Sequence, residues 1–428
     1  MKSNIIHQAF YDLRHQPVIG TVTMIGTALS IFLIMIIVMM HRIEVSPFAP
    51  ENNRDRLLYG RNLHITGINK HNDSSARLSA ALAKRFYDNL AKTECTTIMT
   101  GDAETVDVSA TGSKTFLAYC HATDQNFWKI FDYEFIAGKP YDEAAVKAGL
   151  KEAVIAESVA RKLFGSVDVI GREILILQTP YRIVGVVEDA SPLAKASFAE
   201  VFYPYTVDGG KMFNWDENGE FGPMQAIILA NSPDDFEAIT EEVRARMKVF
   251  DGELRQRGDS LVYHGQPYTQ EESGYTLGSN MDSGAAEARK IRWMLYVVLL
   301  LVPAINLSSM TQSRLRHRVS EIGVRRAFGC RRSRLIRDII AENFLITLLG
   351  GVAGLILCLI FGYFFSDMIF TDLSINREID LSLKLLIDWK LYGAALAFCF
   401  LLNILSSGIP AWRASRINPV DAINSRNI

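Results

Sequence analysis

Four long apolar stretches constrain this chain more than any other feature, because each is long enough to cross a lipid bilayer. At about 1.5 Å rise per residue, roughly 20 helical residues match the ~30 Å hydrocarbon core of a membrane. Apart from Lys390, no Asp, Glu, Lys or Arg lies in these stretches, which are residues 18–40, 293–310, 345–365 and 389–409. A charge at mid-membrane would cost about 2.5–3.5 kcal/mol. We therefore predict four transmembrane helices.

Two of these assignments have alternatives that the sequence leaves open. The first stretch could be a secretory signal, but it is longer than the roughly 7–15 apolar residues of such signals and no small-residue cleavage site follows it. The second has only 18 residues and contains Pro303 and Asn306, so a buried helix of a soluble protein is the alternative. Inside a helical bundle, however, proline is tolerated and asparagine bonds to neighbouring helices.

Charges beside the stretches predict the orientation. Nine Arg and a single Glu occupy residues 314–337, and an excess of Arg and Lys marks cytoplasmic loops. Lys2 and Arg14 before the first stretch, and the Arg residues after position 412, place both termini on the same cytoplasmic side. Residues 42–289 then form a large extracytoplasmic insertion. The predicted fold class is an α-helical membrane protein with four transmembrane helices and a mixed α/β extracytoplasmic domain inserted between helices 1 and 2.

The predicted segments follow from these boundaries. They are an amphipathic cytoplasmic helix at 1–17, transmembrane helix 1 at 18–41, the extracytoplasmic domain at 42–289, transmembrane helix 2 at 290–311, a cytoplasmic elbow at 312–338, transmembrane helix 3 at 339–365, a short outer loop at 366–388, transmembrane helix 4 at 389–410 and a cytoplasmic tail at 411–428.

The insertion contains patterns of both helices and strands. Apolar residues recur every four positions in residues 74–92, at Leu78, Leu82, Phe86 and Leu90, and a capping sequence at residues 232–235 precedes a second amphipathic helix. Short β-rich runs at 153–156, 174–178, 182–187 and 225–229 predict strands, with a turn at Thr179–Pro180 between the middle two. Cys95 and Cys120 lie in this domain, and either a disulfide or two unpaired thiols is compatible with that position.

Composition and motifs exclude several classes of function. With 45 Lys and Arg against 47 Asp and Glu, the net charge of −2 does not suit a nucleic-acid binder. No His-Glu-x-x-His, Gly-x-Ser-x-Gly or Cys-x-x-Cys motif is present, and the five cysteines have no metal-ligand spacing. The nearest approach to a phosphate loop, at residues 112–115, has the wrong spacing. We therefore predict neither a catalytic site nor a cofactor.

The arginine-rich elbow is the most informative segment. Residues 312–328 are predicted to continue transmembrane helix 2, Gly329 ends this helix, and another helix begins near Ser333. A kinked helical projection joined to two spans could transmit force from a cytosolic partner. Alternatively, the arginines only keep the loop inside the cell and contact anionic headgroups. The residues alone leave both readings open.

A family resemblance favours the first reading. The sequence EIGVRRAFG at residues 321–329 resembles the EIGIRRALG signature that follows the second span in ABC permeases of the MacB/FtsX type. Similar residues of that family correspond to Asn306, Glu342, Gly350, Gly351 and Gly354. Residues 409–423 resemble its C-terminal PARRAARLDPVEAL sequence, and residues 157–165, 170–172 and 181–187 resemble its periplasmic core domain.

The resemblance implies a non-catalytic inner-membrane subunit that forms a homodimer or heterodimer and binds ABC ATPase subunits through the elbow. In this family, ATP-driven closure of the ATPases moves the outer domains, which is termed mechanotransmission. Only 17 residues precede Val18, so the ATPase is expected on a separate chain. Coupling to it is expected at Glu321, Gly323, Arg325, Arg326 and Gly329, and transmembrane packing at Asn306, Gly350, Gly351 and Gly354.

Two roles fit such a subunit, and a third class of protein remains as an alternative. The first role is export or release of a substrate from the periplasm or outer leaflet, with a periplasmic adaptor as a further partner besides membrane lipids. The second is ATPase-coupled signalling or scaffolding that activates an envelope partner such as a cell-wall hydrolase. The third alternative is a membrane-anchored enzyme or receptor without an ATPase.

Overall fold

The computed structural model describes residues 17–67, 73–317 and 319–370, together with residues 393, 397, 400, 401, 404, 405, 408 and 411–413. The predicted N-terminal amphipathic helix, the outer loop at 366–388 and transmembrane helix 4 lie wholly or mostly outside the described residues. The chain divides into two compact units. Residues 43–288 form the inserted module, and residues 1–42 with 289–428 form the helical unit.

The described residues form ten α-helices and fourteen strands. The helices are α1 (Pro17–Val45), α2 (Ala80–Tyr87), α3 (Phe127–Ile130), α4 (Glu143–Ala148), α5 (Glu157–Phe164), α6 (Phe236–Gln256), α7 (Gln270–Gly274), α8 (Ala285–His317), α9 (Val319–Ala327) and α10 (Arg332–Phe370). The strands are β1 (Leu57–Gly60), β2 (Asn62–Gly67), β3 (Asp73–Arg77), β4 (Thr93–Thr100), β5 (Glu104–Ser109), β6 (Phe116–Thr123), β7 (Phe135–Gly138), β8 (Glu152–Ala156), β9 (Glu173–Ile176), β10 (Thr179–Val187), β11 (Val201–Pro204), β12 (Met224–Ala230), β13 (Asp259–Leu261) and β14 (Tyr268–Thr269).

Two helices among the described residues are long and apolar enough to cross a membrane. They are Met24–Val45 within α1 and Arg332–Gly362 within α10. They correspond to the first and third predicted spans. The second predicted span lies in α8, which is helical throughout, and the count of four spans stays a prediction.

The inserted module is mixed α and β, and its largest sheet closes on itself. Its strand order is β7-β10-β8-β11-β6-β5-β9, and β9 pairs with both β5 and β10. Six strands therefore form a ring. The seventh strand, β7, lies outside the ring and pairs with the second half of β10, on the side where β9 pairs with the first half. A four-stranded sheet, β14-β1-β12-β4, and a three-stranded sheet, β13-β2-β3, complete the module.

The predicted helix over residues 74–92 is shorter in the structure. Residues 73–77 instead form β3 and pair with β2, and α2 begins after Ser79, whose hydroxyl accepts a hydrogen bond from the Leu82 amide at 3.1 Å. Capping by this serine sets the start of the helix. The periodic residues Leu78, Leu82, Phe86 and Leu90 nevertheless all lie in one buried apolar core. The pattern thus identified the buried side chains correctly and the helix ends wrongly.

The predicted strands are present as β8, β9, β10 and β12, but the turn between β9 and β10 is displaced. It consists of Leu177 and Gln178, which have φ of 48° and 65°, and Ile176 pairs with Thr179 on either side. Pro180 lies within β10, so the prediction of a turn there was wrong. Two-residue hairpin turns usually contain Asn or Gly at such positions, and Leu-Gln gives no such signal.

Other features of the module agree with the sequence. Ser232 caps the helical turn Pro233–Asp235, which leads directly into α6. Cys95 and Cys120 are both free thiols, which decides between the two alternatives left open. Burial raises the pKa of Cys95 to about 11, so this thiol is a poor nucleophile at neutral pH.

Two buried polar side chains make the stability of the module depend on pH. His121 of β6 is fully buried, and its Nδ1 lies 2.8 Å from the hydroxyl of Thr100. Desolvation lowers its pKa from 6.5 to about 3, so the folded protein holds a neutral imidazole. Burial raises the pKa of Asp124 to about 6, against hydrogen bonds from Thr97 and three backbone amides.

We predict that His121→Leu removes one source of acid-dependent loss of stability from the inserted module. The His121 pKa is lower in the folded state, so its contribution is complete above pH 6.5 and declines as the pH falls towards 3. The wild type should lose about 1.4 kcal/mol per pH unit from this group, whereas the variant should lose none. The Asp124 pKa is higher in the folded state, so its contribution to the free energy of unfolding falls as the pH rises, in the wild type and the variant alike. Denaturant unfolding of the full-length protein in detergent at pH 4.5–7.5 tests this, and equal slopes would contradict it.

Candidate functional site

The arginine-rich connection folds as two helices joined by a tight turn. α9 contains the predicted coupling residues Glu321, Gly323, Arg325 and Arg326, and Gly329 follows its end by two residues. Gly323 is buried, whereas Arg325 and Arg326 are half-buried. The structure therefore places the predicted coupling residues on one short helix and the turn that ends it.

Gly329 terminates α9 in a hydrogen-bonded C-cap. Its amide donates to the carbonyl of Arg326 at 3.0 Å, and the amide of Cys330 donates to the carbonyl of Arg325 at 3.0 Å. This is the Schellman arrangement, which requires a left-handed residue after the helix. Gly329 has φ of +85°, a conformation that costs other residues about 1–2 kcal/mol. The predicted helix break at Gly329 is confirmed, and α10 begins three residues later.

A small apolar cluster braces the elbow. Leu315 of α8, Ile322 of α9 and Leu335 of α10 are buried together, and Ile339 packs against them. One helical turn away from the cluster, the side-chain amide of Asn343 donates to the hydroxyl of Thr311 at 2.7 Å, and both residues are buried. The three helices are thus fixed to one another by apolar contacts and by one buried hydrogen bond.

The tip of the elbow exposes apolar side chains beside arginines. Phe328 is 88% exposed and Val324 is 45% exposed, and their i,i+4 spacing places them on one face of the helix end. Exposed arginines of the following turn are Arg331, Arg332, Arg334 and Arg337. An exposed Phe with a basic rim is suited to an apolar pocket with acidic surroundings.

Gly350 and Gly354 of α10 lie directly against α1. A Cβ atom added at Gly354 would lie 2.7 Å from the carbonyl oxygen of Ala28, and one at Gly350 would lie 3.0 Å from Cβ of Thr27. Small residues four apart allow this close approach of two helices in a membrane. Further along the same faces, Ile31, Met35 and Cys358 form a buried apolar cluster. Gly351 is also buried, and Asn306 lies within α8.

A buried ion pair of the inserted module binds the module's own first residues, which form the last turn of α1. Arg54 and Glu51 are 3% and 0% exposed, and Nε of Arg54 lies 2.6 Å from the Glu51 carboxylate. The same guanidinium donates to the carbonyls of Ile43, Ser46 and Leu193. The second oxygen of Glu51 accepts from the amides of Ala196 and Ser197 and from the Ser197 hydroxyl. This arrangement satisfies carbonyls at a helix end that have no partner within the helix.

Sequence reasoning missed two of these features. Asn343 and Thr311 are polar residues at the ends of apolar stretches, and their polarity in that context was the available signal. The pairing of Glu51 with Arg54 at i,i+3 was also visible in the sequence, but nothing local indicates that both side chains would be buried.

Two protein families match this chain. The MacB-like periplasmic core domain matches residues 21–246, and the FtsX-like permease C-terminal domain matches residues 293–419. Together they cover most of α1 and of the inserted module, most of α8, the elbow and α10.

Similar proteins have names that describe transport. The macrolide export ATP-binding/permease protein MacB of Shewanella sp. (strain W3-18-1) is 26% identical over 74% of this chain and 45% of its own length. The pyoverdine export ATP-binding/permease protein PvdT of Pseudomonas fluorescens (strain Pf0-1) is 25% identical over 73% of this chain and 44% of its own. The chain thus spans about half the length of the curated relatives it matches. The crystal structure of the periplasmic region of MacB from Actinobacillus actinomycetemcomitans is 15% identical, with a TM-score of 0.35, over 50% of this chain and 92% of that one.

We predict that Gly354→Ala separates α1 from α10. The added methyl group would overlap the Ala28 carbonyl, and overpacking of this kind costs about 1–3 kcal/mol. Oxidative cross-linking of Met35→Cys to native Cys358, which share one apolar cluster, should fall several-fold in the Gly354→Ala background. Val352→Ala, at an exposed position of the same helix, is the matched control. Unchanged cross-linking with Gly354→Ala would contradict close packing at this glycine.

Proposed function

The chain belongs to the MacB/FtsX-type ABC transporter permeases, with an FtsX-like permease domain and a MacB-like periplasmic core domain, and from this membership we propose that it transmits ATP-driven motion to its inserted module. In this proposal, a separate cytoplasmic ATPase binds the elbow, and the inserted module lies outside the membrane. The chain itself supplies no catalytic group. Its work is mechanical: it changes shape when the ATPase does.

The bracing of the elbow is the observation that best supports this role. A loop that only fixed topology would need arginines but no internal packing. Here Ile322 ties α9 to Leu315 of α8 and Leu335 of α10, and the Thr311–Asn343 hydrogen bond ties α8 to α10. A force applied to α9 would therefore move both long helices together instead of bending the turn. Phe328, exposed at the tip, supplies an apolar anchor for the ATPase.

Surface chemistry supports placing α8 in the membrane as a further span. Its described residues include a series of exposed large apolar side chains, namely Ile291, Trp293, Met294, Leu295, Val297, Val298, Leu301 and Ile305. A core helix of a soluble protein would cover them, since burial of such groups is the main favourable term in folding. Lipid, or a second permease protomer, could cover them here. The exposed arginines of the elbow favour a cytoplasmic position for it.

Export or release of a periplasmic or outer-leaflet substrate is the role we propose for the complete assembly. The relatives described above are named for export of macrolides and of pyoverdine. Both names concern substrates that leave the cell, which fits a subunit whose largest folded part lies beyond the membrane. A second permease protomer, identical or related, and a periplasmic adaptor complete the proposed assembly.

Charge reversal on α9 tests the proposal. Glu321→Lys and Arg325→Glu should leave membrane insertion unchanged, because neither residue lies in a predicted span, but should lower ATP hydrolysis that co-purifies with the tagged chain at least tenfold. The reason is that each reversal puts a repulsive charge at the proposed ATPase contact, and like charges at an interface cost several kcal/mol. Vanadate-sensitive phosphate release from the purified complex is the measurement.

Arg255→Glu is the matched control. Arg255 is an exposed arginine of α6 in the inserted module, paired with Asp251 at 2.8 Å. Its reversal changes the net charge by the same amount and in the same direction as Arg325→Glu and should leave the co-purifying ATP hydrolysis at the wild-type level. Wild-type hydrolysis in both elbow variants would reject the elbow as the ATPase contact.

A further inference from the structure

Four side chains of the inserted module form one continuous hydrogen-bonded row. Asp73 of β3 lies 2.5 Å from Nε2 of His64 on β2. Nδ1 of His64 faces Nε2 of His264 at 2.8 Å, and Nδ1 of His264 lies 2.7 Å from Asp282. The two imidazole rings are parallel within 2°. Both histidines are largely buried, whereas both carboxylates are mostly exposed.

The number of hydrogen bonds in this row exceeds the number of protons that its neutral histidines provide. Three hydrogen bonds join the four groups, and each bond needs one proton. Two neutral imidazoles and two ionised carboxylates contain only two such protons. If each ring donates to its carboxylate, the two facing nitrogens both present lone pairs at 2.8 Å. A third proton is therefore required for all three bonds to form together.

We propose that His64 and His264 form a binding site for a single proton, which closes a latch between β2 and the segment that leads into α8. Asp282 belongs to that segment, residues 275–284, which connects α7 to α8. Other links from the segment to β2 are weak, since the hydrogen bonds of Asn62 with Gly278 and with Ser279 are both 3.4 Å long. Leu277 within it is 91% exposed. The histidine row therefore adds shorter hydrogen bonds between the segment and β2.

The surroundings favour a proton over a metal ion at this site. Among the residues that the structure describes, no group of three His, Cys, Asp or Glu side chains could hold a metal, and each carboxylate already occupies the far nitrogen of its ring. Two charged groups of the neighbouring helix α6 have other partners. Asp251 binds Ser260 and Leu261 of β13, and Arg244 lies 5.0 Å from the ring centre of Tyr263. Neither is hydrogen-bonded to the row.

The direction of the pH dependence follows from the proton count. The closed latch holds one proton more than a row in which one of the three bonds is broken, so acid favours closure and base favours opening. For a difference of one proton, the ratio of closed to open forms changes at most about tenfold per pH unit. This inference does not depend on the proposed transport role.

Asn in place of Asp282 gives a sharp test, because an amide supplies the missing proton permanently. The amide nitrogen of Asp282→Asn can donate to Nδ1 of His264, whose Nε2 then donates to Nδ1 of His64, whose Nε2 donates to Asp73. All three bonds form without an extra proton. Asp282→Ala removes one bond at every pH and is the matched control. A nitroxide attached to Leu277→Cys in the full-length protein in nanodiscs reports segment mobility by electron paramagnetic resonance between pH 5 and 8.5.

Three results together are expected. With the wild-type row the label should be immobile in acid and mobile in base, through a transition of one proton. With Asp282→Asn it should stay immobile throughout, and with Asp282→Ala it should stay mobile throughout. A wild-type label whose mobility does not change with pH, or an Asn variant that behaves as the Ala variant does, would overturn the proposal.

Discussion

The buried pair of Glu51 and Arg54 is the interaction on which the rest of this architecture depends. An apolar helix that enters a folded module ends with unpaired carbonyl groups, and these must be satisfied where water is excluded. One guanidinium does this for two carbonyls at the end of α1 and also binds the carbonyl of Leu193. Glu51 neutralises the charge of Arg54 and accepts a hydrogen bond from the amide of Ser197, four residues after Leu193. Removal of one partner of such a buried pair typically costs about 3–5 kcal/mol.

Within the helical unit, contacts lead from the elbow to α1, and α10 is at their centre. At its start, α10 is held to α8 and α9 by the cluster around Leu335 and by Asn343. Further on, Gly350 and Gly354 bring its backbone against α1. Because glycines leave no side chain between the helices, the two backbones are in nearly direct contact, and little displacement can be absorbed by rotamer changes.

Sequence reasoning worked where local chemistry decides the structure. A glycine after a basic helix predicted the break at Gly329, because few other residues adopt its φ of +85°. The apolar repeat identified Leu78 and Leu90 as core residues although only part of the repeat is helical, since burial depends on the side chain and the helix limits depend on the Ser79 cap. The histidine row could not be predicted in this way. Its members lie at positions 64, 73, 264 and 282, and no local pattern brings them together: β3 pairs with β2 beside Asp73, β13 pairs with β2 just before His264, and Asp282 lies in a connecting segment.

The ring of six strands has a consequence for how firmly each strand of the inserted module is held. A sheet that is pulled can exchange strands with a neighbouring molecule if its edges are open. In the ring, β9 closes the gap between β5 and β10, and the remaining edge, on β7, is only four residues long. Under shear, no strand of the ring can therefore separate before two ladders of hydrogen bonds have broken.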